Sequence, residues 1–438
     1  MSRSFVFLGL VVAVLGQPQS VRAQVSDAPA RQLTLRALLD SVRASHPLVA
    51  AAESRVRAAE GSRVTARALG NPVLSYQVDQ TPFPGGRPLR DMEREAMTTA
   101  TFPLEWLYQR GPRSARASAE VRAAQADAAQ MRQRIGLDAA AAYYRAAFAQ
   151  VQVATTHDLV RWLDTLVTYN RSRVKEGAAA EADLIRSELE RDRMSAEAAL
   201  QSAELAVARA ALGAFVSEAR ASVQVPSVVI EELPLALRTL GTTPALSLDA
   251  RPDVRAARER LAASRASIAA ERSMFVRQLG ATIGTMQTGG TTSMIAGISM
   301  PLPLFDPNRG ETQRASAERD AAGFELAAQE RSATAELRGA YDAAAILTAR
   351  STILARRDSA GFLARAEESR RIALGAYREG AVPLFQVIDA ARAWADARLT
   401  FYRTLFAQHQ SIVTLIVADG QDLFTTSLTP VSLGENRR

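Results

Sequence analysis

The chain has 438 residues, 47% hydrophobic but only 6% aromatic, with no cysteine and a formal charge of +7. Without cysteine there are no disulfides, no thiolate metal sites and no lipid-modified N-terminal cysteine. Arginine carries the positive balance, Lys175 being the only lysine. The arginines alternate with acids, as in Arg186-Ser-Glu188-Leu-Glu190-Arg191, which is a solvated charged helix face and not a nucleic-acid patch.

Arg3, an apolar run over 5–15 and Val21-Arg22-Ala23 read as a secretory signal peptide over residues 1–23. No later stretch offers about 18 consecutive apolar residues, so an exported chain of this kind enters a membrane only as β-strands. A short helix follows over 33–40 with Thr34 as its cap. A second runs from about Pro47 to Leu69 and stops at Gly70-Asn71-Pro72. The period then changes from helical to alternating. Strands are predicted over about 72–80, where Leu74, Tyr76 and Val78 share a face, and about 94–103, ending at Pro103. The Pro- and Gly-rich stretch 81–88 between them reads as a loop.

Past Gly111-Pro112 a long helix is expected, with Val121, Ala124, Ala128, Met131 and Ile135 forming a coiled-coil seam that runs to about Tyr169. Gly177 and the alanines after it break the run, and a returning helix extends from Glu181 to about Phe215. Residues 222–243, with Pro226 and Pro234, read as an irregular connector.

The second half repeats the first. Arg251-Pro252-Asp-Val254 echoes His46-Pro47-Leu-Val49, and strands recur over about 277–287 and 292–301, joined by Gly289-Gly290 as a hairpin turn. Met300-Pro301-Leu302 matches Phe102-Pro103-Leu104, and Arg116-Ala-Ser-Ala-Glu120 recurs as Arg314-Ala-Ser-Ala-Glu318. Residues 311–377 are rich in Ala, Arg, Glu and Leu and free of proline, which predicts one helix on the order of 100 Å long. Lys175-Glu176-Gly177 pairs with Arg378-Glu379-Gly380 at the two breaks. The organisation expected is a first repeat over 24–243 with a helical hairpin at about 112–215, a second over 244–425 with a hairpin at about 310–417, and a tail over 426–438.

Each repeat is therefore helix, strand pair, very long helix, break, returning helix: mainly α, with four β-strands per chain. Four strands cannot close a barrel, and an open edge in lipid leaves backbone groups unpaired. Three copies supply twelve strands, an even number suited to an outer-membrane barrel, and twelve helical segments around a hollow cylinder.

The signal peptide, the repeat, the Asn-Pro after the second helix, the Pro-Leu before each long helix and the paired Glu-Gly breaks resemble the TolC-type outer membrane efflux family. The resemblance covers about residues 33–425. The segments Leu69-Gly-Asn-Pro-Val-Leu-Ser-Tyr76 and Arg173-Val-Lys-Glu-Gly177 are most similar to its heavy-metal (cation) efflux branch. The resemblance implies a homotrimeric outer-membrane barrel with a periplasmic tunnel, docking on a periplasmic adaptor (membrane fusion) protein and an inner-membrane efflux pump that supplies the energy. It also implies an acid-ringed constriction at the hairpin tips, which falls on Asp183, Gln386 and Asp389. Gln386, and Arg186 at the position matching Asp389, depart from the acidic pattern. Capping or solvation of a helix start is the alternative for both aspartates. Tyr377 and Arg378 fall where hairpins are held shut, and Gly177 and Gly380 mark the adaptor-docking tip. Family members also serve drug efflux and type I protein secretion. A non-membrane periplasmic scaffold is the reading of another class, and the four strands count against it.

Nothing points to an enzyme or a cofactor. His46, His157 and His409 lie in unrelated contexts, no phosphate-binding glycine loop is present, and the acids are too evenly mixed with arginine to single out an acid/base couple.

Overall fold

The structure is a computed structural model describing residues 33–79, 95–216, 248–276, 278–355 and 361–425. The expected signal peptide, the loop 81–88, the connector 222–243 and the tail 426–438 lie outside these residues. Helices α1 (Leu35–Ser45) and α2 (Pro47–Arg67) lead to strands β1 (Val73–Asp79) and β2 (Glu95–Pro103), then to α3 (Trp106–Lys175) and α4 (Glu181–Gly213). After a short 3-10 turn come α5 (Pro252–Ser273), β3 (Gly280–Thr288), β4 (Thr291–Ser299), α6 (Arg309–Leu354), α7 (Phe362–Arg378) and α8 (Leu384–Ala418).

The local chemistry explains the punctuation. Thr34 Oγ1 accepts from the Ala37 amide at 3.1 Å and starts α1. His46 Nδ1 accepts from the Leu48 amide at 3.3 Å, and Pro47 occupies the first turn of α2. Gly289 and Gly290 have φ of 55° and 82°, the two left-handed positions a tight hairpin turn requires.

The strands form one antiparallel sheet in the order β1-β2-β3-β4. Its register puts Leu74 beside Ala100, Ile283 and Ala296, and Tyr76 beside Thr98, Thr285 and Met294. Side chains directly opposite one another share a face, so the apolar members of all four strands gather on one side. The other side carries Ser75, Gln77, Asp79, Thr101, Thr282 and Ser293 with a few apolar exceptions, and Thr101 and Thr282 share a hydroxyl hydrogen bond of 3.0 Å across the β2–β3 seam.

The helices lie side by side in the same order as the strands. α2 packs on α3, α3 on α5, and α5 on α6; further from the sheet the order is α4, α3, α8, then α6 and α7. Each strand thus continues into the helix of its own rod: α2 into β1, β2 into α3, α5 into β3, β4 into α6. At about 1.5 Å per residue the 70 residues of α3 span about 105 Å. Among the described residues, nothing covers either edge of this wall. Ile185, Leu189, Leu200 and Val207 stand exposed on α4 at one edge, and Phe324, Ile346 and Ile353 on α6 at the other.

Two cores hold the rods together. The larger joins Leu38, Leu39 and Val42 of α1 to Ile135, Tyr143 and Tyr144 of α3, Leu212 of α4 and Ile412 and Leu415 of α8. The second, near the far end, joins Leu159, Leu163 and Leu166 to Tyr377, Val387 and Ile388. Between the rods, Arg251 is a buried hub. It donates to Asp253 at 2.7 Å, Glu336 at 2.8 Å and the Ala418 carbonyl at 3.1 Å, tying the start of α5 to α6 and the end of α8.

Three expectations are corrected. The run 311–377 is not one helix: α6 ends at Leu354, and α7 starts after Gly361, whose extended backbone (φ −64°, ψ 152°) does not continue a helix. The first long helix does not wait for Gly111-Pro112 but begins at Trp106 and keeps both residues inside. Its first turns are held from outside, by Tyr108 Oη and Gln109 Nε2 donating to the Val276 carbonyl at 2.6 and 3.3 Å and by Arg110 Nε donating to the Arg67 carbonyl at 2.9 Å, which offsets the hydrogen bond lost at Pro112. The seam on α3 is also wider than a single stripe. Ala119, Val121, Ala123, Ala126 and Ala128 are all buried, because α3 is an inner rod with neighbours on both flanks.

Candidate functional site at the hairpin turns

α3 and α7 end in the same way. Gly177 (φ 70°) donates to Val174 at 3.0 Å and Ala178 to Arg173 at 2.8 Å; Gly380 (φ 77°) donates to Tyr377 at 3.0 Å and Ala381 to Ala376 at 2.8 Å. These paired bonds are the Schellman closure, and the positive φ is why each break carries a glycine. Space around both glycines is open.

Behind the turns lies a buried cluster. The Tyr377 hydroxyl donates to Asn170 Oδ1 at 2.9 Å, and its ring meets Tyr169 edge-on with centroids 6.2 Å apart. The Arg173 guanidinium lies over both rings at 5.7 and 5.9 Å, and Arg378 over Tyr169 at 5.9 Å. Asp183, half-buried in the first turn of α4, points its charge at this cluster. Burial, then the Asp183 carboxylate, push the Tyr377 hydroxyl above its ordinary pKa. Neither α4 nor α8 has a side-chain N-cap. The fold therefore brings Asp183, Tyr377 and Arg378 together, while Gln386 and Asp389 stand on the exposed side of α8.

Further links were not singled out from sequence. Glu190, 8% exposed at its side chain, accepts from Arg392 Nε at 2.8 Å and from Arg193 at 3.0 Å, which joins α4 to α8. Burial alone would raise the Glu190 pKa, but the two guanidiniums outweigh it and hold the carboxyl below the ordinary range. Arg398 donates to Asp158 at 2.7 Å, joining α3 to α8. The Arg370 guanidinium stacks on Trp394 at 4.4 Å and faces Trp162 at 5.8 Å. A signal existed for two of these. Asn170 continues the 159, 163, 166 seam, and Glu190 lies on a buried stripe with Ser187, Ala198 and Gln201. A polar residue on an apolar seam needs a partner.

The histidines do not converge. His46 caps α2, His157 is exposed on α3, and His409 is fully buried against Tyr144, its pKa lowered by burial to about 4. No group of three His, Asp or Glu among the described residues is arranged to hold a metal ion. No described helix is long and apolar enough to cross a membrane.

An antiparallel sheet with one apolar face, continued rod by rod into helical hairpins, defines an outer-membrane channel with a helical extension. Residues 243–421 match the model of the Outer membrane efflux protein family. The chain is an efflux channel of the Gram-negative outer membrane that reaches into the periplasm. The chain is 27% identical to the cobalt-zinc-cadmium resistance protein CzcC of Cupriavidus metallidurans over 95% of its own length and 99% of that protein. Its fold is similar to the outer membrane protein VceC of Vibrio cholerae, with a TM-score of 0.72, 19% identity and coverage of 88% and 96% of the two chains. It is also similar to the CmeC outer membrane channel of Campylobacter jejuni, with a TM-score of 0.75, 15% identity and coverage of 90% and 87%.

Proposed function

We propose that three copies of this chain form the exit duct of a tripartite system that exports divalent metal cations. In this reading an inner-membrane pump drives transport and a periplasmic adaptor seats on the Gly177 and Gly380 turns. The observation that carries it is the open wall: among the described residues no strand pairs with the outer side of β1 or β4, and the exposed apolar stripes of α4 and α6 lie on the same two edges. Unlike edges meeting head to tail close a ring, here with twelve strands. The metal assignment rests on the likeness to a cobalt-zinc-cadmium resistance protein along nearly the whole chain. The two repeats, 24–243 and 244–425, would then each contribute one strand hairpin and one helical hairpin.

In the same reading Asp183, Gln386 and Asp389 surround the closed tip, where threefold symmetry turns each carboxylate into a ring that favours cations by field strength. Replacing Asp183 and Asp389 with Ala should raise the conductance of the isolated trimer and weaken its block by multivalent cations. Unchanged conductance and block would remove the constriction assignment. Growth of a deletion strain across metal salts, drugs and dyes tests the substrate. Sensitivity confined to divalent metals is expected, and sensitivity to organic compounds alone would move the duct to drug efflux.

A further inference from the structure

The polar face of the sheet carries two methionines where threonine, serine and glutamine prevail. Met97 of β2 and Met286 of β3 are register partners, in a row that runs Gln77, Met97, Met286, Ser293 across the four strands. Side chains directly opposite one another on one face have Cβ atoms about 4.5–5.5 Å apart. Two unbranched thioethers so placed can bring both sulfurs to one point above the β2–β3 seam. Core packing does not account for them, because neither methionine joins either of the two cores. The face they share is the enclosed one. Met97, Thr99, Met286 and Thr288 are buried or half-buried, while Thr98, Ile283, Thr285 and Gln287 on the far side are exposed.

One row further from the helices, on the same face, Asp79 stands opposite Glu95, and Glu95 opposite Thr288. Like charges directly opposite each other repel, and a cation beside them relieves the repulsion. Gln77 Nε2 donates to the two Asp79 oxygens at 3.0 and 3.3 Å, which holds that carboxylate in place. Glu95 is the diagonal neighbour of Met286, about 7–8 Å away and within reach of a long side chain. The Thr288 hydroxyl is buried with no partner among the described residues. Thioether sulfur is a soft donor suited to Cu(I), whereas carboxylates suit harder ions. Two neutral sulfurs beside one carboxylate balance a single positive charge.

We propose that Met97 and Met286, with Glu95 supplying charge, form a binding station for soft monovalent cations of the Cu(I) class. The proposal rests on the barrel reading above, in which this face lines the water-filled lumen and the station lies near the exit, and it extends the cargo beyond divalent ions. The probe is Ag(I), which shares the charge and softness of Cu(I) and is stable in air. Because the chain has no cysteine, no thiol competes for it. The full chain in detergent, in chloride-free buffer, is titrated calorimetrically with Ag(I), and its heat-modifiable gel mobility is recorded alongside. One saturable site per chain is expected. The double variant Met97→Leu, Met286→Leu keeps side-chain volume and should keep the mobility shift while losing the site. Glu95→Gln should weaken binding by about 10- to 100-fold. In a second measurement, Ag(I) should protect Met97 and Met286 from peroxide oxidation, read by mass spectrometry. Met294, on the opposite face of the same sheet, should oxidise as before. Absence of a saturable site in a wild type that shows the mobility shift overturns the station. So does unchanged binding in the double variant, or equal protection of Met294. A wild type without the mobility shift would instead overturn the barrel reading, and the proposal with it.

Discussion

Arg392 reaches across from α8 to grip Glu190 of α4, its Nε 2.8 Å from one carboxylate oxygen and a terminal nitrogen on the other. The two residues belong to different hairpins. With Tyr377 on Asn170 and Arg398 on Asp158, this bond holds the second hairpin to the first.

Glu190→Gln should weaken that attachment by about 1.5–3 kcal/mol, toward the lower end because Arg392 is 44% exposed. The pH dependence has a defined sign. A carboxyl held below its unfolded value of about 4.3 stabilises the fold above that pH and loses its contribution as pH falls through the folded value. Thermal midpoints taken down to acid pH should show a drop in the lowest range that the Gln variant lacks.

His409 acts in a higher window. Its pKa falls from 6.5 to about 4 because burial disfavours the imidazolium. The unfolded chain therefore takes up a proton first, and stability decreases as pH drops between those two values, by about 3 kcal/mol in all. His409→Phe should flatten this part of the profile while leaving the Glu190 drop in place. An unchanged slope would mean that His409 is hydrated.

Tyr377→Phe keeps the ring contacts with Tyr169 and removes only the hydroxyl. Asn170 Nδ2 already lacks a partner, so losing the bond at Oδ1 leaves the whole buried amide unsatisfied. A cost of about 1–3 kcal/mol is expected. It should be read as faster hydrogen exchange in residues 166–176 with little change in the larger core.

Arg251→Met removes the hub between α5, α6 and α8 and strands Asp253, whose carboxyl burial would raise but Arg251 holds below the ordinary range. Loss of one partner from a buried pair costs about 3–5 kcal/mol. The helical circular dichroism signal should melt at clearly lower temperature, whereas Arg116→Met, at an exposed pair on α3, should leave the midpoint nearly unmoved.

Two sheet glycines should behave oppositely. A Cβ on Gly284 would sit 2.2 Å from the Thr98 carbonyl, while one on Gly297 meets nothing within 4 Å. Gly284→Ala should prevent formation of a heat-modifiable barrel and Gly297→Ala should not. Equal behaviour in gel mobility assays would argue against the β2–β3 register.

The architecture was legible because it is written in local periods: alternation at 74–78 and 96–102, helical spacing elsewhere, and glycines at 177, 289, 290 and 380 where the backbone must turn left-handed. Legibility ended where distant segments decide the outcome. Pro112 argued against a helix that Val276 and Arg67 hold in place from other rods. The break after Leu354 left little mark in composition. At the tip, Asp183 and Tyr377 were singled out by the family resemblance, but Asn170, Glu190 and Arg392 required knowledge of which helices become neighbours.

Because each strand of the sheet runs on into a helix of the wall, the two halves of the molecule act as a vernier. A strand can slip only by an even number of residues without exchanging its faces, a step of about 6.8 Å for two residues. That step is about one and a quarter turns of a helix with a 5.4 Å pitch, so the meshed side chains of α3 and α5 would arrive out of phase. Arg122 would leave Glu259, and Arg260 would leave Asp127. Two rulers with incommensurate divisions agree at one setting, and a mispaired hairpin is exposed as an error far from where it was made.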